Sequence, residues 1–142
     1  MIFAVTDEKW KKPVGEYVKS RAYIYQQLNE DYSVIGFVEN DKIVGGLLFS
    51  DYDGHNIWVH LALDSPRVCQ RRFIKMLFNY CFVQLKCGRI TAICRDGYKR
   101  NERLLKGTGF TKEGTVRKVM KIDGQFINGA LYGMLREECK WV

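Results

Sequence analysis

The side chains best equipped for chemistry in this chain gather in its middle. Between Pro66 and Lys106 stand eleven basic residues (Arg67, Arg71, Arg72, Lys75, Lys86, Arg89, Arg95, Lys99, Arg100, Arg103 and Lys106) against only Asp96 and Glu102. The segment carries +9 while the rest of the chain carries −2. A positive charge this localised suits a polyanion, either a phosphorylated cofactor or a nucleic acid. Guanidinium groups grip phosphate through paired N–H bonds, which suits an arginine-rich segment to a phosphorylated ligand. A solvated basic face with no ligand is the other reading. No DNA- or RNA-binding signature accompanies the charge, which speaks against nucleic acid. Of the two histidines, His60 falls in a β-patterned run and His55 in a turn. Imidazole titrates near neutrality, so His60 is the candidate for proton transfer, its alternative being a histidine satisfied within the sheet. Cys69 at a helix start would have a lowered thiol pKa, which invites a covalent reading, although no histidine neighbours it in sequence. The five cysteines are odd in number and contain no CxxC pair. They suit neither a disulfide framework nor a metal site, and read as small buried hydrophobes.

Those residues need a scaffold, and the composition supplies one. The chain has 142 residues, 46% of them apolar, with 13 Gly and 2 Pro. That is the size of one domain spanning residues 1–142 and too apolar for a disordered chain. No apolar run reaches the roughly 18 residues of a membrane span. Met1–Thr6 followed by Asp7-Glu8 lacks the basic and apolar regions of a signal peptide. The expected setting is the cytoplasm, without a membrane partner.

Periodicity gives the element order. Met1–Val5 reads as a strand, and Asp7 as a helix cap. An amphipathic helix follows over about Val14–Leu28, with Val14, Tyr17, Val18, Ile24, Tyr25 and Leu28 on one side. Ser33–Glu39 and Lys42–Ser50 form a hairpin turned by Asn40-Asp41. Asn56–Leu63 is a further strand. From Pro66 to about Lys86 the apolar spacing becomes helical for roughly twenty residues, with Ser65 or Asp64 as cap. Arg89–Cys94 is a strand, Tyr98–Lys106 a short helix ended by Gly107 and Gly109, and Thr115–Ile122 and Asn128–Arg136 are the last strands. The fold class is α/β (α+β), a mixed sheet with helices packed on it. A helix starting in the basic segment just after a strand is where such folds bind phosphate.

Two strings near the C-terminus narrow this further. Gly107-Thr108-Gly109-Phe110-Thr111-Lys112-Glu113-Gly114-Thr115-Val116-Arg117 resembles a "klGFkkEGvlR" junction. Asp123-Gly124 followed by Leu131-Tyr132-Gly133-Met134-Leu135-Arg136-Glu137-Glu138 resembles a "dG…lYsmLreEw" ending. Phe78-Asn79-Tyr80-Cys81-Phe82 is similar to "lldyaF". All three belong to the GNAT family of acyl-CoA-dependent N-acyltransferases, in the branch of the ribosomal-protein N-terminal acetyltransferases. The resemblance covers roughly Ser33–Trp141.

It implies a single-domain, six- or seven-stranded twisted sheet, splayed in the middle, with helices on both faces. It also implies acetyl-CoA as co-substrate and a primary amine, on a protein, peptide or small molecule, as acceptor. The backbone of Leu61, Ala62 and Leu63 would hold the pantetheine and acyl carbonyl. Arg67, Val68, Cys69, Gln70, Arg71 and Arg72 would wrap the pyrophosphate, where relatives carry [QR]-x-x-G-x-[GA]; this chain has no glycine there. Asn101 would contact the cofactor or cap its helix. His60 or Tyr132 would assist proton transfer, with aromatic packing the alternative for Tyr132. Leu105 stands where many relatives place a general-acid Tyr. The glycine-free loop supports an alternative, a non-catalytic GNAT-like binding or structural protein of the kind a phage genome would carry. A nucleic-acid-binding module on the basic face is a third.

Overall fold

The computed structural model describes residues 1–24 and 28–142. In chain order the elements are β1 (Phe3–Val5), α1 (Glu8–Arg21), β2 (Ser33–Glu39), β3 (Lys42–Ser50) and β4 (Asn56–Leu63). A 3-10 turn (Pro66–Val68), α2 (Arg71–Phe78) and a π-helical turn (Asn79–Gln84) lead to β5 (Arg89–Arg95). Then come α3 (Lys99–Thr108), β6 (Thr111–Ile122), β7 (Gln125–Leu135) and a last 3-10 turn (Arg136–Glu138). The seven strands form one sheet in the order β1-β2-β3-β4-β5-β7-β6. All neighbours are antiparallel except β4 and β5. Both tight hairpins use paired left-handed residues, Asn40 and Asp41 (φ 51° and 62°), then Asp123 and Gly124 (φ 50° and 79°). That geometry matches the twist of the flanking strands. No helix among the described residues is long and apolar enough to cross a membrane.

Helices cover both faces. One core layer joins Val14, Tyr17 and Val18 of α1 to Val34, Leu48 and Ala62 of the sheet. The larger layer joins Phe73 and Phe78 of α2, Phe82 and Leu105 to Ile57, Val59, Ile90 and Tyr132. The α1 layer is seated on glycine. Gly36 and Gly46 are register partners in β2 and β3. A Cβ on Gly36 would lie 2.5 Å from Val14 Cγ2, and one on Gly46 2.8 Å from Val18 Cγ2. Both valines are fully buried, and their branched side chains are stiff within a helix. Gly36→Ala is therefore expected to cost about 1–3 kcal/mol, the range for overpacked cores. A denaturation midpoint equal to that of the parent would show that the helix has room to move.

Several boundaries differ from the periodicity. The first helix starts at Glu8, directly after its Asp7 cap, and runs through Pro13 to Arg21. It stops because Tyr23 takes a left-handed conformation (φ 54°). Ile24 and Leu28 still pack on the α1 layer; Tyr25, also expected on that helix, lies outside the described residues. The single long helix over Pro66–Lys86 is three pieces. Ser65 Oγ accepts from Arg67 N at 3.2 Å and caps only the 3-10 turn, so α2 begins at Arg71. Strands β6 and β7 each begin three or four residues earlier than the apolar pattern suggests.

Candidate active site

The central parallel pair forks. Strands β4 and β5 are in register from Asn56↔Arg89 to Val59↔Ala92 and no further. Beyond that point β4 stays with β3 as far as Gly45↔Leu63, and β5 stays with β7 as far as Arg95↔Gly129. The closed end is riveted by side chains. Thr91 Oγ1 donates to Asn56 Oδ1 (2.7 Å), Arg89 Nε donates to Thr91 Oγ1 (3.0 Å), and the Arg89 guanidinium pairs with Glu113. At the open end the backbone edge of His60–Leu63 has no strand beside it. A cleft of about 100 Å³ occupies the gap, walled by apolar side chains including Leu61, Leu63, Val68, Phe73 and Leu105. Cys69, Asn101, Tyr98 and Tyr23 give it a polar rim.

His60 is the first β4 residue past the fork. Val59, Leu61 and Leu63 line the cleft, so strand alternation turns His60 and Ala62 to the α1 face. His60 is only 6% exposed, and its Nε2 has no hydrogen-bond partner among the described residues. Burial pushes its pKa down to about 4, against an opposing pull from Asp51. The imidazole is thus neutral at pH 7, with Nε2 left without a partner. The linkage sign follows. The unfolded chain binds a proton near pH 6.5 that the native state refuses until about pH 4, so stability falls as pH drops through that window. The expected loss is about 3 kcal/mol, read as a midpoint that declines between pH 6.5 and 4 and declines less in His60→Leu. A parent and variant with parallel pH profiles would contradict it.

The loop before α2 is closed on itself. The N–H groups of Arg67, Val68, Cys69 and Gln70 bond to Ser65 Oγ, Ser65 O, Pro66 O and Val68 O respectively. Phe73 N and Ile74 N both donate to Gln70 O. Arg71 N and Arg72 N are left at the start of α2. Of the three arginines, Arg67 is clasped by Glu39. Arg72 donates to Gln70 Oε1 and Ile2 O, both at 2.9 Å. Arg71 lies 5.3 Å above the Trp141 ring, with no carboxylate partner.

The other residues singled out by sequence are distributed unevenly. Asn101 lines the cleft and does not cap α3, whose cap position is Tyr98. Tyr132 is fully buried in the larger core layer, and its hydroxyl donates to Glu102 Oε1 at 2.9 Å. Burial, and the bond to Glu102, raise its pKa and hold its proton. Cys69 is exposed and precedes α2 by two residues, so the expected lowering of its pKa is reversed: desolvation at the rim raises it. Three rim residues are not singled out by the sequence, two of them being visible only as members of the basic segment. Arg100 of α3 donates to Leu63 O at 3.2 Å across the mouth of the fork. Arg95 and Tyr23 border the cleft from β5 and from the end of α1.

A seven-stranded mixed sheet with one parallel pair forked at its centre, and helices on both faces, is the GNAT fold. No protein-family model matches the chain. A SPbeta prophage-derived uncharacterized N-acetyltransferase of Bacillus subtilis (strain 168) is 27% identical over 124 residues, covering 83% of this chain and 70% of that protein. Among solved structures, the ribosomal-protein-S5-alanine acetyltransferase of Vibrio fischeri superposes with a TM-score of 0.74 at 17% identity, covering 98% of this chain and 95% of that one. A spermidine N-acetyltransferase chimera from Vibrio cholerae also reaches 0.74, at 10% identity and 96% of each chain. Other acetyltransferase chains it matches are longer, and this chain spans 64% of one and 60% of another.

Proposed function

We propose that the chain is an N-acetyltransferase that moves an acetyl group from acetyl-CoA to a primary amine, with both substrates bound at once. The fork carries this reading. An open apolar cleft bordered by the unpaired edge of β4 would accept an extended acyl-pantetheine arm as an added strand. The backbone of Leu61, Ala62 and Leu63 would bond to it, once Arg100 releases the Leu63 carbonyl. The B. subtilis relative's name and the GNAT fold point the same way, as does the resemblance to ribosomal-protein acetyltransferases, which favours a protein or peptide amine.

Phosphate would meet Val68–Arg72 at the mouth. The free amides of Arg71 and Arg72, the dipole of α2 and the uncommitted Arg71 guanidinium are its ligands, with Asn101 on the opposite rim. Arg71→Ala should then raise the Kd for CoA roughly tenfold, the worth of one charge-assisted contact. Arg67→Ala should raise it less, because Glu39 already occupies that guanidinium. Equal effects from the two would mean that only overall charge matters.

In the transfer itself, the amine nitrogen attacks the thioester carbonyl, whose oxygen is polarised by a β4 backbone N–H. Nitrogen becomes strongly acidic as the C–N bond forms, so a weak base suffices to take its proton. We assign that role to His60 Nε2, on the α1 face of β4 beside the fork, which requires the amine to approach from that face. The acceptor must arrive as the free amine, so kcat/KM should climb toward alkaline pH. With Leu105 in place of a tyrosine and Tyr132 committed to Glu102, solvent protonates the departing thiolate. Release of free thiol from acetyl-CoA, measured over a panel of primary amines, tests the reading: protein-dependent release with acetylated product supports it. Binding of acetyl-CoA without transfer to any amine would favour the second reading, a GNAT-fold protein that binds without catalysis. The internally bonded, glycine-free loop is the observation on that side.

A further inference from the structure

The charge around the cleft is one-sided. Among its described lining residues the charged side chains are Arg21 and Arg95, with no carboxylate. The carboxylates just outside are already neutralised. Asp64 accepts from Arg21 Nε at 3.0 Å, and Asp96 and Glu102 face Lys112 Nζ at 3.4 and 3.6 Å. Glu102 also holds the Tyr132 hydroxyl. Arg95 differs from its neighbours: among the described residues its guanidinium has neither an ion-pair nor a hydrogen-bond partner. It is the last residue of β5, beyond the fork. Ala92 and Cys94 pack into the larger core layer, so alternation puts Ile93 and Arg95 on the face that His60 occupies. The end of α1, with Arg21, Ala22 and Tyr23, borders the cleft beside them.

We infer that the acceptor is a peptide amino terminus followed directly by an acidic side chain, with Arg95 as the group that binds that carboxylate. This rests on the acetyltransferase reading above. A guanidinium without a partner at the border of the cleft attracts an anion and can grip it with two parallel N–H bonds. Arg21, although paired with Asp64, keeps the rim from offering a net negative charge. A polyamine meets the opposite: no carboxylate in the cleft to receive its second ammonium, and a like charge at Arg95. The inferred peptide substrate has an acidic residue directly after its amino terminus.

The matched probes are two amidated tripeptides, Ala-Glu-Ala and Ala-Gln-Ala, and spermidine, each titrated into the full chain in the presence of CoA and each offered with acetyl-CoA. The Glu peptide is expected to bind roughly tenfold or more tightly than the Gln peptide, with spermidine weakest. Arg95→Ala should erase the difference between the peptides, and Arg95→Glu should reverse it. Arg95 is exposed, so neither variant removes core packing. Equal binding of the peptides, a preference for spermidine, no binding by any probe, or a Glu preference that survives Arg95→Ala would each overturn the inference. If the amines are acetylated without that preference, the enzyme reading stands and the acceptor class falls. An Arg95-dependent Glu preference without acetyl transfer would leave the binding site standing and remove the catalysis.

Discussion

Replacing His60 by alanine is expected to lower kcat roughly 10²-fold or more while leaving the Kd for acetyl-CoA close to that of the parent. The separation follows from where the side chain points. His60 contributes its backbone to the cleft edge, whereas its ring faces the α1 side, away from Leu61 and Leu63. Alanine keeps that backbone and removes only Nε2. The His60→Asn variant guards against a packing artefact, since it retains a polar group of smaller size at the same register as Leu48. Loss of turnover in both variants, at temperatures where each is folded, assigns the base. A lowered melting temperature with turnover intact in the folded fraction would make His60 a core residue only. The shape of the pH profile is a second check. With its pKa depressed to about 4, the ring should not produce a limb between pH 6 and 7.

Phe78→Ala is expected to cost about 3–5 kcal/mol, enough to unfold a marginally stable domain near body temperature. Phe78 is completely buried where α2 passes into the π-helical turn. Its ring stacks on Phe82 and Trp141 (centroids 6.2 and 6.3 Å) and tilts against Phe110 at 6.0 Å. One side chain thus joins α2, the entry to β6 and the C-terminal tail. Trp141 also donates Nε1–H to Thr108 O at 2.9 Å and underlies Arg71, so this cluster helps set the position of the N-terminal end of α2. Chemical denaturation should show the loss directly, and acetyl-CoA affinity of any residual folded protein should fall with it. A stability change under 1 kcal/mol would mean that the surrounding rings collapse into the space.

Strands β2, β3 and β4 fall on the residues that alternation and the turn residues Asn40-Asp41 mark out, because half-buried strands with tight hairpins write their geometry locally. The start of β6 does not. Thr111-Lys112-Glu113 is exposed at a sheet edge; its strand character comes from pairing with β7 and leaves no apolar rhythm. The break at Cys69-Gln70 is equally silent, since Val68, Phe73 and Leu77 continue one stripe across it. For the site, the basic segment and His60 are visible as residue types, but the fork that gives them meaning is not. Asn56–Leu63 reads as one uniform strand, and only the loss of β5 beside its second half separates Val59 from His60. Arg95 was one of eleven basic residues until the fold placed it beyond that point.

The central claim is that the fork is an acyl-CoA site despite a loop without glycine. It is tested most directly by calorimetric titration of the full chain with acetyl-CoA and with CoA at two salt concentrations. The account predicts one site per chain with a Kd in the roughly micromolar range, weaker at the higher salt because phosphate contacts are screened. Absence of binding at near-millimolar ligand would contradict it, leaving the fold in place and the arginines of the 67–72 loop as internal struts.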